Sequence, residues 1–270
     1  MSTPPTPSSK PRRRFRPVEV TAVRRLTPRM VSVAMSGSAL ADFEITAPTQ
    51  HVKLLFPAPG QAAPTLPESG PEGLRFPDDQ PCPAMRTFTP RRFHSETATL
   101  EVEFVLHGEG PASAWAQQAE VGQGLAVAGP GGRMPLTLGP GRFVVAGDES
   151  AIPAIGMLLA ALPPSASTEV YLEVDGAADE VELSSDATTS VRWLHRQPGT
   201  YGEVLYDAVV DADITDAAGV WVACEAQAVR RIRRTLLTDR PLDPETLVTR
   251  GYWRLGQQNH PDHDYGEDAA

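Results

Sequence analysis

GRFVVAGDESAIPAIGMLLAAL, residues 141–162, organises the reading of the whole chain. Its first eight residues are a short β-branched run ending in Gly147-Asp148, the pattern of a strand buried on both faces. The SAIPAIGMLLAAL that follows reads as the helix after it. Downstream the alternation continues: TEVYLEVD (168–175) and SVRWLHR (190–196) predict strands, and YGEVLYDAVVDA (201–212) a helix. GVWVACE (219–225) then predicts a strand and EAQAVRRIRRTLLTD (225–239) a strongly amphipathic helix. Such alternation predicts an α/β domain built on a parallel sheet with helices on both faces.

Upstream of Gly139 the grammar is different. VEVTAVRRL (18–26), MVSVAMSG (30–37), HVKLLFP (51–57), RTFTPRRF (86–93), TLEVEFVLHG (99–108) and GLAVAGP (124–130) are short alternating or β-branched runs punctuated by Gly and Pro. Six strands at this spacing predict a small antiparallel β-barrel over 16–139, joined through LGPG to the α/β domain over 140–256. PASAWAQQA (111–119) is the single helical pattern in this half. The segment from Pro57 to Ala84 carries eight prolines and reads as an insertion or a lid. Residues 1–15 are basic and Pro-rich, residues 257–270 are polar and acidic, and both read as flexible tails.

Composition removes several classes of function. With 24 Lys and Arg against 34 Asp and Glu, the 270 residues carry a net charge of −10, which opposes general nucleic-acid binding by phosphate neutralisation. No run approaches the ~18 consecutive apolar residues of a membrane span, and no signal-peptide order opens the chain, so the expected compartment is the cytoplasm. Two cysteines, Cys82 and Cys224, provide neither a disulfide framework nor a zinc spacing. No metal site and no obligate protein partner are expected.

Three stretches could carry chemistry. Along Arg86-Thr87-Phe88-Thr89, side chains alternate, so Arg86 and Phe88 share one face while Thr87 and Thr89 share the other. A cation, a flat aromatic and a hydroxyl within four residues can hold a phosphate, a ring face and a ring nitrogen; a strand packed beside a core Phe has the same pattern. His107-Gly108-Glu109-Gly110-Pro111-Ala112-Ser113 is a Gly-rich turn entering a helix, suited to close backbone approach of an anion or simply to a tight turn. Gly147-Asp148-Glu149-Ser150 and Ala223-Cys224-Glu225-Ala226 lie at strand ends of the α/β half, where open parallel sheets bind ligands. Asp148 and Glu149 would repel a pyrophosphate that they faced, so capping of the next helix is the other reading for them.

Taken in order, RTFT, LHGEGPASAWA, GDESAIPAI, WVACE and RGYWRLG (250–256) resemble the siderophore-interacting protein family, flavin-dependent ferric-siderophore reductases of the ferredoxin-reductase-like superfamily. The resemblance spans about Arg16 to Gly256. It implies an N-terminal FAD-binding barrel, a C-terminal NAD(P)H-binding domain, and reduction of siderophore-bound Fe(III) to Fe(II) for iron assimilation. By the same resemblance Arg86 contacts an FAD phosphate, Thr87 accompanies it on the strand, Phe88 lies against the flavin and Thr89 sits near its N5 edge. Where the family usually has Tyr, this chain has Phe88, which keeps the stacking and loses a phenol. His107, Gly108, Ala112 and Ser113 would surround the diphosphate, with Trp115 packing the helix onto the barrel. Asp148, Glu149, Ser150, Cys224, Glu225 and Ala226 would line the nicotinamide-nucleotide crevice, and Tyr252 and Trp253 would stand near the flavin.

A flavin carries such chemistry without a catalytic triad, and none stands out here. Ferric siderophores are commonly anionic, so local cations must offset the net charge. Lys53, Arg91, Arg92, Arg250 and Arg254 lie beside the proposed flavin-edge motifs and are the substrate-binding candidates. For the nucleotide, Glu173 and Asp175 could bind a ribose hydroxyl and favour NADH, whereas His195 and Arg196 could receive the 2′-phosphate of NADPH; the resemblance favours NADPH. Two other functions fit the sequence: a general NADH-dependent flavin or ferric reductase, and a siderophore-binding protein without turnover.

Overall fold

The computed structural model describes residues 14–70, 73–108, 110–132, 134–240, 242–261 and 263–267. Its first domain contains β1 (Phe15–Thr27), β2 (Met30–Ser36), β3 (His51–Phe56), the short β4 (Glu68–Gly70) and β5 (Gly73–Arg75), β6 (Ala84–Phe88), β7 (Pro90–His94), β8 (Thr99–Val105), helix α1 (Pro111–Gln117) and β9 (Gly124–Gly131). In β8, Leu100, Val102 and Phe104 are buried while the alternate residues are half-exposed. That period of two turns one face toward a core closed by Val20, Val33, Phe56, Trp115 and Leu125.

Seven strands, rather than the six expected, form the antiparallel sheet, in the order β6-β3-β9-β1-β2-β8-β7. Its edge strands are not hydrogen-bonded to one another, so no barrel closes through a ladder. Instead β6 ends at Phe88 and β7 begins at Pro90, so the sheet curls until Thr89 joins its two edges covalently. The additional strand arises because Pro90 has no amide proton to continue a ladder and splits what reads as one run, RTFTPRRF, into two. Within the Pro-rich segment, β4 and β5 pair as a separate two-stranded ribbon.

The second domain alternates as the sequence predicts: β10 (Gly141–Asp148), α2 (Ile152–Ala161), β11 (Ala166–Val174), β12 (Thr188–His195), α3 (Glu203–Asp211), β13 (Gly219–Glu225), α4 (Ala226–Thr238) and β14 (Leu247–Trp253). All five strands are parallel, in the order β12-β11-β10-β13-β14. Both faces of β10 are covered: Phe143 and Val145 pack with Ile155 and Leu158 of α2, whereas Val144 and Ala146 pack with Leu205 of α3 and Val229 and Ile232 of α4. Helix α4 buries Ala228, Val229, Ile232 and Leu236, one stripe at helical spacing. From β10 the chain winds to β11 and β12, then crosses back to β13 and β14, so the direction of winding reverses between β10 and β13. That reversal opens a crevice beyond the strand ends.

Met30, at the start of β2, is buried in the α2-side core and carries the first domain onto the second. Arg29 beside it donates to Asp175 at 2.6 Å, and its backbone N–H donates to Asp179 at 3.2 Å. The expected tails differ from what is described. Residues 1–13 and 268–270 lie outside the described residues, Phe15 already pairs with Ala128, and Arg14 meets Asp42 at 2.5 Å. The acidic C-terminal segment folds back on β14: Gly251 donates its N–H to the Asp264 carbonyl at 2.9 Å, and Arg230 of α4 meets the Asp264 carboxylate at 2.6 Å.

Candidate functional site

A cleft of about 1400 Å³ runs between the two domains, lined by β6, by the turn 107–113, and by the carboxyl ends of β10, β12 and β14. A single small ligand usually needs ~300–1,000 Å³, so the cleft is sized for more than one nucleotide-like molecule. Its first-domain wall is Arg86, Thr87, Phe88 and Thr89 followed by His107, Gly108, Ala112 and Ser113, all of which line it. Arg86 donates to its neighbour's carbonyl, Met85, at 2.9 Å. Phe88 packs on Phe104 with ring centroids 4.6 Å apart while facing the cleft, so an aromatic surface backed by core is presented there. Gly108 has φ +46 and open space where a Cβ would stand, leaving its backbone approachable. Ser113 lies inside α1 rather than capping it, and its hydroxyl accepts the His107 N–H at 2.8 Å, which ties the turn shut. Burial lowers the pKa of His107 from its ordinary value, favouring a neutral ring.

On the opposite wall the acids that would repel a pyrophosphate are turned inward. Asp148 is 4% exposed and accepts four hydrogen bonds. Ser150 N–H (2.9 Å) and hydroxyl reach Oδ1, while Glu225 N–H (3.1 Å) and the Trp253 indole (2.7 Å) reach Oδ2. Burial first, then the charge of Glu149, pushes its pKa up to about 7. Glu149 forks onto Arg196, with Nη1 donating to Oε2 at 2.8 Å and Nη2 to Oε1. Gly147 is required beneath them, because a Cβ there would stand 2.4 Å from that of Ala151 and 2.7 Å from the Ala223 carbonyl.

Tyr252 and Trp253 are consecutive on β14, yet both line the cleft. Side chains of an unbroken strand would point to opposite faces. A bulge resolves this: Cys224 pairs with Gly251 and Glu225 with Trp253, leaving Tyr252 as the extra residue. Tyr252 hydrogen-bonds Thr89 of the other domain, and burial pushes its phenol up to about 12. Trp253 meets the ring of Tyr201 edge-on, with centroids 5.1 Å apart.

Several predicted residues stand elsewhere. Cys224 does not line the cleft; its thiol is buried on the α3–α4 side, and burial raises its pKa well above the ordinary value. Glu225 caps α4 by accepting from Gln227 (2.6 Å) and Ala228 (3.0 Å), and accepts the Leu255 N–H at 3.2 Å. Ala226 is fully buried at the start of that helix. Of the five cations, Arg250 and Arg254 line the cleft. Lys53 donates to Thr87 at 3.1 Å, and Arg92 is exposed away from the cleft. Arg91 lies 3.7 Å from Glu103 and packs over α2 where Gly156 leaves room for its guanidinium. Glu173 does not line the cleft and accepts from Gly202 (2.8 Å) and Leu205 (3.2 Å) at the start of α3. Asp175 meets Arg29, and His195 meets Glu180 at 2.8 Å.

Sequence reasoning missed His51, Tyr201 and Arg233, which also line the cleft. Tyr201 follows a Pro-Gly turn just past the end of β12, a position that could have marked it. Arg233 sits among the arginines of α4, and nothing in its pattern distinguishes the one that reaches the cleft. Among the described residues no group of three or more His, Cys, Asp or Glu could hold a metal ion.

A curled antiparallel domain and a doubly wound parallel domain sharing one cleft define the ferredoxin-reductase-like class. Within it, residues 19–134 match the siderophore-interacting FAD-binding domain and residues 140–256 the siderophore-interacting protein domain. The chain belongs to the siderophore-interacting protein family. It is 30% identical to the ferric vibriobactin reductase ViuB of Vibrio cholerae over 87% of this chain and 88% of that one. To the NADPH-dependent ferric-chelate reductase of Escherichia coli it is 28% identical, over 89% and 93%. A siderophore utilization protein from T. fusca superposes with a TM-score of 0.81 at 32% identity, covering 93% of this chain and 97% of that one.

The first-domain wall fits FAD. It combines a guanidinium on a strand, an aromatic surface, a hydroxyl at the strand end and an approachable Gly turn, all in one cleft.

Proposed function

We propose that this chain is an FAD-dependent ferric-siderophore reductase that takes electrons from NADPH and passes them to siderophore-bound Fe(III). The observation that carries the reading is the single cleft, in which the Arg86–Thr89 strand faces the switch point of the parallel sheet. One wall suits a flavin and the other suits a nicotinamide nucleotide. The functions of two relatives, reduction of ferric vibriobactin and NADPH-dependent reduction of ferric chelates, agree with it.

FAD, when bound, accepts two electrons together and releases them singly. Arg86 holds the cofactor's phosphate by a charge-assisted hydrogen bond, Phe88 backs its ring, and Thr89 presents a hydroxyl to the ring edge. Thr87, oriented by Lys53, steadies the strand. His107, Gly108, Ala112 and Ser113 form the turn around the diphosphate, with Ser113 holding its shape. Ser150 and the inward-turned Asp148 and Glu149 shape the nucleotide crevice, while Cys224, Glu225 and Ala226 support it from behind. Tyr252 and Trp253, which both line the cleft, would stand beside the bound ligands and exclude water there.

One NADPH delivers two electrons, so two Fe(III) complexes become Fe(II) and one proton is released. Oxygen donors hold the ferrous ion less tightly, and reduction is itself the release step. Arg250 and Arg254, both on the cleft lining, attract the anionic complex. The reaction belongs in the cytoplasm, where NADPH is supplied and cysteines stay reduced.

Purified protein should be yellow, with flavin bands near roughly 380 and 450 nm. Anaerobic NADPH should bleach it, and a ferric siderophore should restore the colour while a ferrous chelator reports Fe(II). Colourless protein that FAD cannot reconstitute would defeat the proposal in favour of a siderophore-binding role.

A further inference from the structure

The consecutive acids at the switch point hold the two ends of one ring of contacts. Asp148 accepts from the Trp253 indole, whose ring meets Tyr201 edge-on at 5.1 Å and 89°. Tyr201 lies under the Arg196 guanidinium, 5.1 Å from its centroid, and Arg196 returns to Glu149 through the fork. All five residues line the cleft.

Arg196 stands just past the end of β12. It lines the cleft beyond a strand end of the doubly wound sheet, where an arginine can accommodate the 2′-phosphate of a dinucleotide. Here both of its terminal nitrogens are already taken by the two oxygens of Glu149, with side-chain exposures of 4% and 7%. Its other acidic neighbours do not depend on it: Glu173 is held by the N–H groups of Gly202 and Leu205, and Asp175 by Arg29. They stand 4.0 Å from its Nη1 and 3.5 Å from its Nε, so the Glu149 fork is the contact that takes both terminal nitrogens. A carboxylate in a bidentate fork makes the same pair of charge-assisted hydrogen bonds that a phosphate would make. A 2′-phosphate that displaces Glu149 exchanges one such pair for another and gains little.

We propose that Glu149 is a specificity-determining residue: it occupies the Arg196 fork as an internal anion, so that a 2′-phosphate binds only by displacing it. The chain then uses NADPH and NADH with little discrimination. This rests on the nicotinamide-nucleotide reading of the cleft given above.

The test is calorimetric titration of the FAD-loaded protein with adenosine 2′,5′-bisphosphate and with 5′-AMP, paired with anaerobic flavin reduction by NADPH and by NADH. Wild type should bind the two nucleotides within a few-fold of each other. Glu149→Gln should raise the ratio of bisphosphate to AMP affinity by roughly tenfold or more, because the carboxylate that occupies both terminal nitrogens of Arg196 is then gone, while Asp175, 3.5 Å from its Nε, stays in place in both proteins. Should that variant fail to retain FAD, Glu149→Asp keeps the charge but shortens the reach below the fork, and should shift the ratio in the same direction by less. A ratio that stays at its wild-type value in a folded variant, with both nucleotides still reducing the flavin, overturns the proposal and leaves the nucleotide reading standing. Wild type that binds neither nucleotide and is reduced by neither cofactor overturns both.

Discussion

Asp148→Asn separates what the switch-point carboxylate does by hydrogen bonding from what it does by charge. Its two oxygens face the N–H groups of Ser150, Glu225 and Trp253 together with the Ser150 hydroxyl. Asparagine offers one carbonyl and one amide group, so in either orientation its NH₂ meets at least one N–H that cannot turn away. One buried donor left unmet costs about 1–3 kcal/mol. Onto this loss falls a pH dependence that only the wild type has. The folded pKa is pushed up to about 7 from the ordinary 3.8, chiefly by burial. With the folded value above the unfolded one, the native state binds the proton first, so stability rises as pH falls through 7 and is complete near the unfolded pKa. The Ser150 hydroxyl can rotate to accept that proton. Each pH unit inside the window is worth at most about 1.4 kcal/mol. Lowering the pH from 8 to 5.5 should therefore widen the deficit of the variant against wild type by on the order of 2 kcal/mol. Urea unfolding of the FAD-loaded proteins, followed by tryptophan fluorescence across that range, measures the deficit directly. Parallel stability curves would refute the reasoning, because they would mean that Asp148 keeps its charge throughout and that its four donors outweigh its burial.

Three further outcomes follow from the cleft. Arg86→Ala should weaken FAD binding by about 1.5–3 kcal/mol, roughly tenfold or more, in a titration of apo-protein, and unchanged affinity would remove Arg86 from the site. Arg250→Glu should slow reoxidation of the reduced flavin by a ferric siderophore, most strongly at low salt, since exposed charges are screened over about 10 Å at 0.1 M. Reduction by NADPH should be spared, and equal slowing of both halves would assign Arg250 to the flavin or the fold. Removing residues 257–270 takes away the Asp264 contacts with Gly251 and Arg230 and should lower the melting temperature of the FAD-loaded protein; an unchanged melt would show that the segment adds nothing to stability.

Much of the architecture was legible because burial repeats locally. β10 and β13 read as unbroken apolar runs since both of their faces are covered, and β8 alternates since only one of its faces is. The Arg86–Thr89 strand and the 107–113 turn could be placed because residue type and turn chemistry are short-range properties. What escaped reading was long-range. Nothing near Pro90 states that the strands on either side of it lie at opposite edges of one sheet. The acidic C-terminus looked incapable of ordering because its partners, Arg230 on α4 and Gly251 on β14, are distant in sequence. Arg91 and Lys53 lie beside the motif in sequence or by ladder, and the contacts they make, with Glu103 and Thr87, cross strands whose register no local pattern reveals.

The same long-range pairing explains how a protein of net charge −10 can offer a cleft to anions. Asp148, Glu149, Glu173 and Glu225 all stand at the carboxyl ends of parallel strands or just beyond them, where a phosphate would meet them. Each is 5% exposed or less. Three of them spend their oxygens on backbone N–H groups: Asp148 on Ser150 and Glu225, Glu173 on the first turn of α3, and Glu225 on the first turn of α4. Those N–H groups would otherwise be unsatisfied helix-end donors, the usual place for a bound phosphate. The fold has thus filled its helix-terminal anion sites with its own carboxylates and moved recognition of anionic ligands onto arginine side chains. Arg86, Arg250 and Arg254 line the cleft, with Arg196 held by Glu149. Side-chain cations, unlike backbone amides, can be removed or reversed by a single substitution. Nucleotide choice and substrate capture in this chain should accordingly be tunable by single charge changes without rebuilding the sheet.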